Sequence, residues 1–305
     1  MTQLELLLSA TFRMFPPIIL AGLGGLLSFR IGMLNIALEG MMLLGAFFAV
    51  VVSYLTGSAW FGLLAATLLG GALGFLFALF NLRFNANNIV TGVAVNILSL
   101  GLTTYFLRVL FGVRGAFSSP RIVGLPLIRI PILDHIPVLR VLSGQSVLVY
   151  VAIGLTFAVH YFLYHTPAGL RVRAVGKHPM AAATAGVDVE RLKYFCLVSS
   201  GLLSGMGGAH LSLGQLTMFT ENMTNGRGFI ALAATIFGQN TPIGTFAGSL
   251  IFGFADALTL RLQTINLPPH LLQMVPYVLT LLVLLAVALK SRTRAVKASA
   301  KASKE

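Results

Sequence analysis

Residues 61–80, FGLLAATLLGGALGFLFALF, hold no charged side chain and no proline. A helix of about 20 residues is ~30 Å long, the thickness of a bilayer's hydrocarbon core, and it satisfies its own backbone hydrogen bonds. Leu272 to Leu289 is nearly as clean. The whole chain follows suit: 57% of its 305 residues are hydrophobic, 10% are charged, and the mean hydropathy is +0.90. No soluble domain of this length can bury that much apolar surface. A closed barrel would show alternating segments of about ten residues instead. The sequence therefore predicts an all-α, polytopic integral membrane protein, with residues 1–305 forming one transmembrane domain.

Working outward, nine segments read as membrane helices: 10–28, 35–56, 60–80, 88–111, 146–164, 194–214, 227–238, 243–262 and 270–290. The seventh, at about a dozen residues, is too short to span and reads as a broken or re-entrant piece lined by protein. Pro16 and Pro17 are expected to break or kink the first helix. No basic cluster precedes the first apolar run, so it reads as retained rather than as a cleaved signal.

Basic residues give the orientation. The tail 290–305 carries Lys290, Arg292, Arg294, Lys297, Lys301 and Lys304 against Glu305 alone, which places it in the cytoplasm under the positive-inside rule. Counting four crossings backwards puts residues 165–193 on the same side, where Arg171, Arg173, Lys177, Arg191 and Lys193 agree. Arg30 and Arg83 fall on inside turns. The loop from Arg114 to Arg140 falls outside despite four arginines, and an extra or missing crossing before residue 146 would resolve that conflict differently. Topology thus accounts for most of the net charge of +13, and nucleic acid is not an expected partner.

Within 165–193, the stretch RAVGKHPMAAATAGVDVERLK (173–193) concentrates six charges. Pro179 suits the first turn of a helix, Ala181 to Ala183 its body, and Gly186 the left-handed residue after its end. Asp188 reads as the N-cap of the next spanning helix, with Glu190 in its first turn. A short cytoplasmic helix of small residues between two membrane helices is a docking knob rather than a plain linker.

Catalytic and metal chemistry find no support. Gly176-Lys177 precedes His178 and lacks the earlier glycine of a phosphate-binding loop. Cys196 is the single cysteine, and the six histidines are scattered without ligand spacing. The run Ser204 to Ala209 lacks a following Lys-[Ser/Thr] and reads as a surface for close helix packing.

Polar residues at membrane depth mark a candidate path. Asn35 and Glu39, at i and i+4, are expected on one helix face, with Asn35 as an N-cap. Glu39 reads equally as a solute contact or as a structural carboxylate bonded to backbone or to Arg30. Asn88 and Asn96 place amides in an otherwise apolar span, where Asn96 can bond a neighbouring helix or a passing solute. Asp256 reads as a paired carboxylate in close helix packing. Glu221 and Asn225 lie in a polar segment leading into the short seventh helix, like the broken helices that line transporter sites.

GMLNIALEGMMLLGAF (32–47), RAVGKHPMAAATAGV (173–187), SGLLSGMGGA (200–209) and IFGQNTPIGTFAGSLIFGFADALTLRLQ (236–263) together resemble the integral membrane permeases of ABC importers for branched-chain amino acids, ribose-type sugars and nucleosides. The resemblance covers nearly the whole chain and is most similar to the nucleoside permeases. It implies a subunit of the prokaryotic cell (inner) membrane without a nucleotide site of its own. ATP and magnesium would belong to a cytoplasmic ABC ATPase, which docks on a coupling helix within 176–186 through Gly176, Lys177, His178, Pro179, Ala182 and Gly186. It further implies a second, unlike permease subunit, an extracellular or periplasmic binding protein, and a small polar solute moved by alternating access. Ala183 stands where many relatives carry Glu, Met180 where Arg is frequent and Phe29 where Glu commonly precedes the arginine, which favours shape over charge in the docking. The alternatives are a simple-sugar or branched-chain amino acid permease and, in another class, an ion-coupled secondary transporter using Glu39 and Asp256.

Overall fold

The computed structural model describes residues 3–129 and 139–262. The expected ninth span, 270–290, and the basic tail lie outside the described residues. In chain order the elements are α1 (Gln3–Arg30), α2 (Leu38–Thr56), α3 (Ala59–Leu82), α4 (Asn88–Phe111), β1 (Ala116–Ser118), β2 (Leu127–Ile128), a 3-10 turn (Leu139–Leu142), β3 (Gln145–Ser146), α5 (Val147–His165), α6 (Pro167–Lys177), α7 (Pro179–Thr184), α8 (Val189–Ala209), a π-helical stretch (His210–Leu216), β4 (Met218–Thr220), α9 (Arg227–Phe237) and α10 (Pro242–Leu262). The chain is a polytopic helical membrane protein. Six of these helices, α1 to α5 and α10, are long and apolar enough to cross a bilayer. Helix α8 is equally long, but it opens on Glu190, Arg191 and Lys193 and is rich in Gly and Ser. At 11 residues, α9 is about 16 Å long, half a span. Two small antiparallel ribbons, β1 with β4 and β2 with β3, were not legible in the hydropathy pattern.

Helix α8 is the packing axis, and glycine makes it so. A Cβ on Gly201 would meet the Gly70 carbonyl of α3 at 2.1 Å, and one on Gly205 would meet the Ala66 carbonyl at 2.2 Å. On the α2 side, Gly208 stands equally close to the Met42 carbonyl, where a Cβ would lie at 1.9 Å. Lipid gives helices no hydrophobic reason to associate, so backbone-to-backbone contact of this kind supplies the dispersion energy that holds them together. The Ser204–Ala209 run, together with Gly201 before it, is this contact surface. Around it, Phe15, Phe47, Phe77 and Phe219 are fully buried, and Phe47 meets Phe219 of β4 edge to face, their ring centroids 5.1 Å apart.

Helix α1 runs unbroken through Pro16 and Pro17, so of the expected break or kink the break does not occur. The physical reason lies in a neighbouring helix. Pro17 has no N–H to give the Arg13 carbonyl four residues back. That carbonyl instead accepts from Gln215 Nε2 at 2.7 Å, and His210 Nε2 lies 3.2 Å from it. Both side chains come from the π-helical stretch, whose wider turn presents them to α1. Tertiary contacts thus supply what the proline removed, as they must in a medium without water.

The bundle has two distinct ends. Arg30, Gly32, Asn81, Asn85, Asn88, Gly176 and Glu190 gather at one, with Gly32 beside Gly176. At the other, Ser53 Oγ donates to the Val123 carbonyl, Gln145 bonds Ser9, and the β1–β4 ribbon joins the loop after α4 to the segment before α9.

Replacing Gly201 with Leu should abolish recovery of monodisperse protein in size-exclusion chromatography. The same change at Gly154, an exposed α5 position with nothing within 4 Å of an added Cβ, should leave the elution profile unchanged. Equal recovery of the two variants would show that the α3–α8 contact is not as close as described.

Candidate transport path and coupling site

The interior polar cluster begins where α2 fails to start early. Gly32 adopts φ +77°, residues 33–35 are irregular, and the helix opens only at Leu38. Asn35 causes part of this delay. Its Oδ1 accepts from Ala37 N at 3.0 Å, a local side-chain bond that competes with helix formation, while Nδ2 donates to Ser200 Oγ of α8 at 2.9 Å. Asn35 and Glu39 therefore do not share a helix face as expected, because Asn35 lies ahead of the helix, and the N-cap position falls to Ala37.

Asn96 closes the break. Its Oδ1 accepts from Gly40 N at 2.7 Å and its Nδ2 donates to the Ile36 carbonyl at 3.0 Å, so one amide bridges two backbone groups of the α2 start. Asn96 is the ninth residue of α4, about 12 Å from that helix's beginning. The start of α2 thus lies well inside the bundle.

Glu39, in the first turn of α2, faces the start of α9. Oε1 accepts from Gly226 N at 2.8 Å and Oε2 from Gly228 N at 2.6 Å. These are the amides that a helix start leaves unpaired, and a carboxylate there also meets the positive end of the helix dipole. A side chain at 228 would prevent the approach, since an added Cβ would lie 2.5 Å from Glu39 N. Gly226 at φ +83° and Asn225 at φ +44° turn the chain into α9. One residue on, Arg227 Nε lies 3.4 Å from Asp256 Oδ2 of α10, both side chains largely buried.

The structure thus brings together Asn35, Glu39, Asn96, the turn at Asn225 and, through Arg227, Asp256. Glu39 bonds backbone rather than Arg30, whose Nη2 donates to Tyr164 Oη. Asn88 stands apart, lining a cleft with Asn81, Asn85, Glu190 and Lys193 at the Arg30 end, while Asn87 caps α4. Glu221 also stands apart, 3.9 Å from Arg108 across a more exposed gap. Ser200 and Arg227 belong to the cluster but were missed as site residues. An arginine opening a half-length apolar helix was the signal for the second; nothing in the sequence marked the first.

The stretch 166–188 folds as two helices. Thr166 caps α6, with its Oγ1 accepting from Gly169 N at 3.1 Å, and Pro167 supplies the first turn. Gly176 fixes the far end of α6 to α1, where a Cβ would fall 2.0 Å from the Arg30 carbonyl. His178 separates the two helices, Pro179 opens α7, Gly186 at φ +80° follows it, and Asp188 Oδ1 accepts from Arg191 N at 3.1 Å. Lys177, His178 and Met180 are exposed, Met180 by 87%. Ala182, expected on the docking surface, is buried at 5% exposure, because it is the α7 position turned towards the body of the protein.

Residues 7–284 match the family model described as branched-chain amino acid transport system / permease component. The chain belongs to that family. Among curated relatives, this permease is 37% identical to the guanosine ABC transporter permease protein NupQ of Bacillus subtilis, over 92% of its own length and 91% of the relative's. It is 36% identical to the putative glucose ABC transporter permease protein TsgC13 of Haloferax volcanii, covering 86% and 79%. It is 34% identical to the nucleoside ABC transporter permease protein NupC of Lactococcus lactis, covering 88% and 87%. The fold is similar to that of a solved inward-facing, putative metal-chelate type ABC transporter, with a TM-score of 0.50 at 15% identity, covering 93% of this chain and 86% of that one. The permease is a transporter component rather than an enzyme.

Asn96→Leu should lower the thermal midpoint in detergent, since it orphans Gly40 N–H and the Ile36 carbonyl at about 1–3 kcal/mol each. Ile97→Leu, at a 66% exposed position, should melt like the parent. A parental midpoint for Asn96→Leu combined with lost uptake would instead assign the amide to the solute.

Proposed function

We propose that this chain is one permease subunit of an ATP-driven importer that takes up nucleosides. The observation that carries the proposal is the similarity, over most of the chain, to a guanosine ABC permease at 37% identity and a nucleoside ABC permease at 34%. In this reading a binding protein delivers solute to the β1–β4 end, and a second, unlike permease subunit completes the path. A cytoplasmic ATPase, which holds ATP and magnesium, engages α6 and α7. The C-terminal tail is cytoplasmic and the membrane is the prokaryotic inner membrane.

The geometry supports a mechanical division of labour. Because Gly176 abuts the Arg30 carbonyl and Asp188 starts α8 directly after α7, force on α7 reaches α1 and α8. Exposed Lys177, His178 and Met180 would meet the ATPase, Pro179 and Gly186 set the ends of α7, and Ala182 seats it. The proposed path passes the cluster of Asn35, Glu39, Asn96, Asn225 and Asp256, with Glu221 towards the outer mouth and Asn88 at the inner one. Ion coupling is the weaker reading, since the carboxylates of Glu39 and Asp256 are already engaged by backbone amides and Arg227. Glucose or another simple sugar is the second reading for the solute, favoured by the 36% identical relative of Haloferax volcanii.

Proteoliposomes holding this chain with its ATPase, second permease and binding protein should accumulate labelled guanosine on addition of ATP with all ion gradients collapsed. Unlabelled nucleosides should compete and glucose should not. Uptake that needs an ion gradient and ignores ATP would refute the importer reading; competition by glucose alone would refute the nucleoside.

A further inference from the structure

At the Arg30 end, a cleft of about 450 Å³ opens between the ends of α1 and α6 and the turn after α9. Arg30, Arg173 and Lys177 line it together with Phe29, Leu170 and Asn240. Its charge is unbalanced. The guanidinium carbons of Arg30 and Arg173 lie 5.8 and 5.1 Å from the centroid of one ring, that of Tyr164, so two like charges share a single aromatic group. Among the described residues no carboxylate pairs with Arg30, Arg173 or Lys177: Asp188 is held by Arg191, and Asp256 by Arg227. The Nε atoms of Arg30 and Arg173 are buried and without a hydrogen-bond partner. The carboxyl ends of α1 and α6 carry about half a negative charge each, less than three full cations require.

The apolar lining narrows the ligand. Leu170 is 60% exposed and Phe29 41% exposed beside these cations, and Tyr161, 62% exposed, stacks on His165 at the end of α5. Helix α6 buries Gly169, Val172 and Val175 while Arg171 and Lys177 remain exposed. Apolar, aromatic and basic groups adjoining one another at helix ends are the make-up of a membrane interface, and basic pockets on the cytoplasmic side between membrane helices suit phosphate headgroups. A fork of two guanidiniums also matches phosphate oxygens better than ammonium groups would.

We infer that this cleft binds the phosphate headgroup of an anionic phospholipid of the cytoplasmic leaflet. Phosphate oxygens would accept from Arg30 and Arg173, and the acyl chains would lie along Leu170 and Phe29. Because Gly176 joins this cleft to the α6–α7 corner, the lipid would brace the element that precedes α7. The inference rests on the proposed orientation, with the Arg30 end cytoplasmic, and not on which solute is carried.

The test is native mass spectrometry of the purified full chain titrated with phosphatidylglycerol or phosphatidylcholine. The wild type should retain one phosphatidylglycerol at least roughly tenfold more strongly than phosphatidylcholine. Arg30→Gln combined with Arg173→Gln should remove that preference, whereas Arg191→Gln, at an exposed paired position, should keep it. If the double variant does not purify, the wild-type comparison decides alone, and no preference there overturns the inference. Displacement of the lipid by millimolar inorganic phosphate that also binds without lipid would assign the cleft to a free anion. Loss of the bound lipid whenever the ATPase joins would make the cleft a protein-docking surface. Either result overturns the lipid assignment.

Discussion

Two backbone amides at the start of α9 and the carboxylate of Glu39 hold the interior of this permease in place. A helix of 11 residues cannot cross a bilayer, so α9 must begin inside the bundle, and its first N–H groups have no water to bond. Glu39 reaches them at 2.8 and 2.6 Å from a helix that also begins inside the bundle. Each interruption is tolerable because it answers the other. Gly228 lets the two backbones approach, Asn96 closes the open start of α2, and Arg227 carries a charge to Asp256. Removing the carboxylate would leave buried donors unpaired, which costs more than the bonds themselves contribute.

The same constraint recurs wherever the backbone is irregular. The carbonyl that Pro17 leaves free on Arg13 is taken up by Gln215, with His210 beside it. Glycines on α3 and α8 let two backbones touch, and Gly176 does the same between α6 and α1. Rigid contacts of this kind allow a displacement at α7 to reach the spanning helices, since packed interfaces move as units rather than deform continuously.

Helices α3, α4, α5 and α10 were legible within a few residues, because their apolar runs are uninterrupted and of bilayer length. Pro179, Gly186 and Asp188 likewise marked the ends of α7 and the start of α8, since each acts locally, the first two through their backbones and Asp188 through a side-chain bond three residues on. What could not be read depended on partners distant in sequence. Asn35 looked helical until its Asx bond and Ser200 were seen, and the prolines looked like breakers until Gln215 was placed. The small strands β1 and β4 pair residues about a hundred positions apart, which periodicity does not record. Ala182 is one of three consecutive alanines, and only the fold tells which of them faces inward.

The central claim is that Glu39 caps α9 and makes two interrupted helices into one unit. Hydrogen–deuterium exchange at the amides of Gly226 and Gly228 measures this directly. Exchange there should be slow in the wild type and at least roughly tenfold faster in Glu39→Ala, the factor that 1.4 kcal/mol corresponds to, with α3 and α8 unchanged. Rapid exchange in the wild type, or equal rates in the two proteins, would contradict the account.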